Sequence, residues 1–173
     1  MKTVQALFLM MFWLTATGIG SAEALMPLMP AKPVASQTVA FQAAGRDIAA
    51  VFSRLERPGE FALTITYWGP LTQEGPVNLW ISLNGETREF ITLHELANRH
   101  QTITLLSFHP IDPKADGPAR LPLAPWERVD PGFFRNACYE PELGENHLEF
   151  IFFAHGRWDG NPEQHNANYT CSF

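Results

Sequence analysis

Apolar and polar residues alternate with period two through the middle of the chain. Phe61, Leu63, Ile65 and Tyr67 alternate with Ala62, Thr64 and Thr66, which marks a strand rich in β-branched and aromatic residues. Val77, Leu79, Ile81 and Leu83 repeat the pattern, with Asn78, Trp80 and Ser82 on the other face. Asn84-Gly85 follows at once, the strongest short hairpin signal, so Phe90 to Leu93 is expected to return as the partner strand. Thr102 to Phe108 is another β-rich run, and the nearly continuous apolar run Leu148 to Phe153 suits a central buried strand. Val39 and Phe41 fit an early edge strand, and Tyr169 to Phe173 a short last one.

Asp47 to Glu56 fits two periods. Ile48, Val51, Phe52 and Leu55 have helical spacing with Asp47 as a cap. The same residues also pair as a strand with Phe61 onward across Arg57-Pro58-Gly59-Glu60, and the strand is preferred. Six to eight short strands with Gly and Pro turns predict an all-β chain, an immunoglobulin-like antiparallel β-sandwich. His109 to Asn146 breaks the pattern with seven prolines and reads as a long Pro-rich loop. Trp126, Phe133 and Phe134 are expected to fold it back over the sandwich, and its other conceivable role is a binding wall.

The ends differ from the middle. Lys2, an apolar run from Ala6 to Leu14, and small residues at Gly18, Gly20, Ser21 and Ala22 have the layout of a secretory signal peptide. The run is shorter than the ~20 residues of a membrane span. The expected organisation is therefore a signal peptide over 1–22, a flexible Leu-, Met- and Pro-rich leader over 23–36, and a sandwich domain over 37–173. That places the protein outside the cytosol, secreted or periplasmic, with no membrane span after signal cleavage.

Composition narrows the partners. The 173 residues are 17% charged and 46% hydrophobic, with a formal net charge of −6, which excludes wholesale disorder and an electrostatically driven nucleic-acid binder. The two cysteines, Cys138 and Cys171, read as one disulfide in an exported chain. Such a bridge is worth roughly 3–4 kcal/mol in the chain-entropy picture.

Few residues are spaced for catalysis. His94-Glu95-Leu96-Ala97-Asn98-Arg99-His100 lacks the second histidine one helical turn after the first, so it is not a zinc-protease motif. His147, His155, His165, Asp159 and Glu163 cluster in sequence without a metal-ligand spacing, so no metal or cofactor is expected. There is no Gly-x-Ser-x-Gly elbow and no phosphate-cradling glycine loop.

The most informative stretch for function is Phe150 to Asn161, running into Asn166-Ala167-Asn168-Tyr169-Thr170. An apolar strand delivers Trp158 to a loop of Asp and Asn, and a second strand leaves through Asn168-Tyr169. This segment resembles the closing segment of starch-binding carbohydrate modules, in which a strand ends in an aromatic followed by Asp-Asn-Asn and Asn-Tyr opens the last strand. Here the loop is longer and Gly160 stands where a second Asn is usual. The resemblance implies a non-catalytic polysaccharide binder. Trp158 would stack on the C–H face of a sugar ring, Asp159, Asn161 and Asn168 would bond its hydroxyls, and Trp80 or Trp68 would be a second platform. The rival expectation is a module that docks another exported protein.

Overall fold

The computed structural model describes residues 32–173 apart from 97, 108–125, 130, 136, 138–145 and 166. The expected signal peptide and most of the leader therefore lie outside the described residues. So do most of the Pro-rich loop and Cys138.

The described chain forms eleven strands in two sheets. The first sheet contains β1 (Pro33–Ala43), β2 (Arg46–Leu55), β3 (Phe61–Trp68), β6 (His94–Glu95), β7 (Gln101–Ser107) and β8 (Trp126–Val129). Its order is β1-β2-β3-β7, with β6 and β8 sharing the far side of β7. The second contains β4 (Asn78–Leu83), β5 (Glu86–Thr92), β9 (His147–Ala154), β10 (Arg157–Asp159) and β11 (Tyr169–Ser172). Here β9 is central, flanked by β4 on one side and by β10 and β11 on the other. All pairs are antiparallel except β7 with β8.

The ambiguous segment 46–55 is a strand, because its pairing with β1 and β3 over its length outweighs the helical spacing of its apolar residues. β1 opens at Pro33, inside the stretch read from sequence as leader. Asn84 and Gly85 both take left-handed backbone angles (φ 51° and 85°), the geometry that a two-residue turn needs to match strand twist. The first three strands form a meander within one sheet, so the chain changes sheet only after β3; an immunoglobulin domain does so after its second strand.

The sheets pack face to face through alternate residues. Ile48, Phe52, Ile65 and Tyr67 from the first sheet meet Leu79, Ile81, Phe150, Phe152 and Tyr169 from the second, all buried. Tyr67 and Phe152 lie with ring centroids 4.1 Å apart, and Phe41 meets Phe150 edge-on at 5.4 Å. Phe173 closes one end against Phe52 at 5.6 Å. Phe133 and Phe134, from the far part of the loop, are buried in the same core.

Among the described residues there is no disulfide, and Cys138, the expected partner of Cys171, lies outside them. Cys171 is a free thiol on β11 opposite Leu148, and packs against the core. Burial pushes its thiol up to about 12.

Candidate binding face

The second sheet buries one face and turns the other outward, so its sequence alternation decides what solvent meets. β4 presents Asn78, Trp80 and Ser82, and β9 presents Glu149, Ile151 and Phe153 directly opposite them. The turn at His155-Gly156 has both residues left-handed (φ 49° and 77°). It folds β10 straight back, so that Trp158 pairs with Phe153. Their ring centroids lie 4.7 Å apart.

One irregularity completes this face. Leu79 pairs with Ile91, but Ile81 pairs with Arg88, so β5 carries an extra residue opposite Trp80. The extra residue makes a β-bulge, which re-aims side chains. Phe90 sits in it with φ 56°, a backbone region that costs a bulky residue roughly 1–2 kcal/mol. The residue is 55% exposed, and its ring centroid lies 6.5 Å from that of Trp158 and 6.0 Å from that of Phe153. Trp158 is 52% exposed. Two large aromatic rings are thus held side by side in water, tilted 47° to each other.

Beside them lies a shallow groove of about 280 Å³, lined by Trp80, Ile151, Trp158 and Asn168. Its lining is indole, aliphatic side chain and one amide, with no ionisable group. Thr92 donates its hydroxyl to Asn78 Oδ1 at 2.9 Å along the neighbouring rim.

Beneath Trp158 the chemistry reverses. Asp159 is the next residue on the strand, so it points inward and is buried. It accepts from Arg46 Nε at 3.0 and 3.2 Å, from Arg46 Nη2 at 2.6 Å, and from the Tyr67 hydroxyl at 2.5 Å. Tyr67 in turn accepts the Leu71 amide at 3.2 Å. Its ring lies so close to Gly69 that a Cβ there would stand 2.6 Å from the hydroxyl. The hydrogen bond from Arg46 to Asp159 raises the guanidinium pKa despite partial burial. Burial first, then the bond to Asp159, pushes the Tyr67 phenol far up. Tyr169, bonded to the Gly160 carbonyl at 2.9 Å, is pushed up to about 12 by burial and by the charge of Asp159. The exposed Arg157 adds an ion pair to Glu74. β10 is thereby riveted to β2 and β3 from below while carrying Trp158 above.

Of the residues singled out from sequence, Trp158, Trp80 and Asn168 come together around one groove. Asp159 does not join them; it faces the interior as an ion-pair partner. Asn161 is occupied locally, its Oδ1 accepting the Glu163 amide at 3.0 Å to cap a short 3-10 turn. Trp68 stands on the first sheet beside His100, away from this groove. His94 begins the two-residue β6, and His100 bonds Asp47 at 2.9 Å. His147 bonds Glu149 at 3.1 Å, while His155 and His165 occupy left-handed turn positions. Among the described residues no group of three His, Cys, Asp or Glu side chains is placed to hold a metal ion. Sequence reasoning missed Phe90, whose exposure depends on the bulge. It also missed Arg46, which lies 113 positions from Asp159. Among the described residues no helix is long and apolar enough to cross a membrane. No protein-family model, curated protein or solved structure matches this chain.

Proposed function

We propose that this is an exported, non-catalytic carbohydrate-binding protein that holds polysaccharide on the outer face of its second sheet. The observation that carries the reading is Trp158, half in solvent and rigidly seated, sharing an open groove with Trp80 and Asn168. Sugar rings offer an apolar C–H face to an indole and hydroxyls to an amide, and this groove supplies both. An open groove admits a chain passing through, not only a chain end. The likeness of the closing segment to starch-binding modules points the same way, with the hydrogen-bonding part narrowed from Asp159, Asn161 and Asn168 to Asn168. Neither metal nor cofactor takes part, so retention should persist in chelator.

The test is retention on a panel of insoluble polysaccharides. The protein should be held by at least one, and Trp158→Ala and Trp80→Ala should each lower retention about tenfold, an estimated loss near 1.4 kcal/mol per ring. Trp68→Ala should bind like the parent. Retention that both groove variants leave unchanged would refute the reading.

A second reading is favoured by the contiguity of Phe90, Phe153 and Trp158. An exposed aromatic patch of this kind also suits docking to another exported protein. Export itself is tested by N-terminal sequencing of the protein from its host: a start at Glu23 or Leu25 supports it, and a start at Met1 contradicts it.

A further inference from the structure

We infer that β1 is a pairing edge at which two copies of this chain join antiparallel into one continuous sheet. β1 is the outer strand of the first sheet, and among the described residues it pairs only with β2. An unpaired edge exposes a row of backbone donors and acceptors, and proteins guard such rows with charges, bulges or very short strands. The other edges here are guarded. β5 carries Glu86, Arg88 and Glu89 and a bulge, β6 has 2 residues, β10 has 3, and β8 and β11 have 4 each. β1 has 11 residues, Pro-Val-Ala-Ser-Gln-Thr-Val-Ala-Phe-Gln-Ala, not one charge, and an irregularity only at its start, between Pro33 and Ala35. In a chain of net charge −6, this is a neutral stretch where two copies can touch without repulsion.

The register can be derived. The two-residue turn pairs Ala43 with Arg46 as a hydrogen-bonded pair. By alternation the odd residues of β1 from Ala35 onward bond to β2, and Ser36, Thr38, Ala40 and Gln42 turn their N–H and C=O groups to the free side. The side chains of those four are all exposed. Gln37 lies in the middle of the strand and faces between the layers. Its Oε1 is buried and among the described residues has no hydrogen-bond partner, an uncommon and costly condition for an amide oxygen. Placing a two-fold axis at Gln37 puts Ser36 opposite Thr38 of the second copy and Thr38 opposite its Ser36, each pair exchanging both backbone bonds. The two Gln37 residues then face each other as a non-hydrogen-bonded pair with Cα atoms about 4.5 Å apart. A change of rotamer that turns each Gln37 amide out toward the axis lets it donate to the other's oxygen, which its own chain leaves unpaired. A second copy is therefore the occupant that answers both the open edge and the unpaired atom.

The experiment is sedimentation equilibrium on the purified protein and three variants. The parent should be a dimer. Thr38→Pro removes a free-side N–H without touching a bond to β2 and should give a folded monomer. Gln37→Glu and Gln37→Lys each place like charges on the axis and should be monomeric alone, yet form a mixed dimer when combined. That mixed dimer keeps the test informative even if each charge lowers the melting temperature. A parent that stays monomeric up to millimolar concentration would overturn the inference. So would a dimer that persists in folded Thr38→Pro, or the absence of a mixed dimer from the two charged variants.

Discussion

Replacing Asp159 by Ala tests whether the buried ion pair, and not the local loop, holds Trp158 in place. The carboxylate accepts three bonds from Arg46 and one from Tyr67 in a site it barely shares with solvent. Its loss strands a guanidinium whose side chain is only 16% exposed, together with a buried phenol. Breaking a buried pair from one side costs about 3–5 kcal/mol. Because Arg46 retains some access to water, the lower end, about 3 kcal/mol, is expected. For a chain of this size that corresponds to a fall in Tm of about 6–12 °C. Urea unfolding followed by tryptophan fluorescence should show a lower midpoint with an unchanged slope. Replacing both partners, Arg46→Met with Asp159→Leu, should recover most of the loss, since two apolar side chains leave no charge to strand. If Asp159→Ala unfolds within about 0.5 kcal/mol of the parent, a range typical of surface substitutions, the rivet is not structural and the reasoning fails.

Phe90→Gly should leave stability equal or raise it by about 1 kcal/mol, because glycine accepts the left-handed angle without strain. It should also weaken polysaccharide retention. A loss above 2 kcal/mol in urea unfolding would show that the ring is a packing element. Tyr169 keeps its proton to about pH 12 in the fold, against about 10 in the unfolded chain. Its contribution is therefore complete below pH 10 and is lost as pH rises from 10 to 12. Tyrosinate absorbance at 295 nm should rise together with loss of β circular dichroism. Tyr169→Phe should soften the decline, and phenol ionisation complete near pH 10 in folded protein would contradict the burial. The Cys171 thiol, pushed up to about 12, should react with iodoacetamide at pH 8 on the order of 10³-fold more slowly than a solvent-exposed cysteine. Alkylation at the rate of a solvent-exposed cysteine in the folded protein would refute that.

The strands were legible because their information is local. Alternation through Phe61–Tyr67 and Val77–Leu83, the Asn84-Gly85 turn and the apolar run of β9 each state their structure within a few residues. The alternation also placed Trp80 on the face opposite Leu79, where it stands. What escaped was non-local or irregular. From sequence Trp158 ends a strand and Asp159 opens a loop beside it; once Arg157–Asp159 pairs with β9, neighbours must point to opposite faces. The partner that draws Asp159 inward, Arg46, comes from the far end of the described chain and carries no sequence sign of it. The bulge that lifts Phe90 is a one-residue mismatch between strands, invisible in either strand alone. Nor did the sequence reveal the parallel pairing of β8 with β7, which rests on a long connection.

The central claim is that ligand meets the face carrying Trp80, Trp158 and Asn168. Titrating isotope-labelled protein with a soluble fragment of whichever polysaccharide retains it, while following the indole N–H and side-chain amide signals by NMR, tests this most directly. The account predicts saturable shifts of the Trp80 and Trp158 indoles and the Asn168 amide, with the Trp68 indole unmoved. A saturating fragment that shifts Trp68 and leaves the other three in place would contradict it.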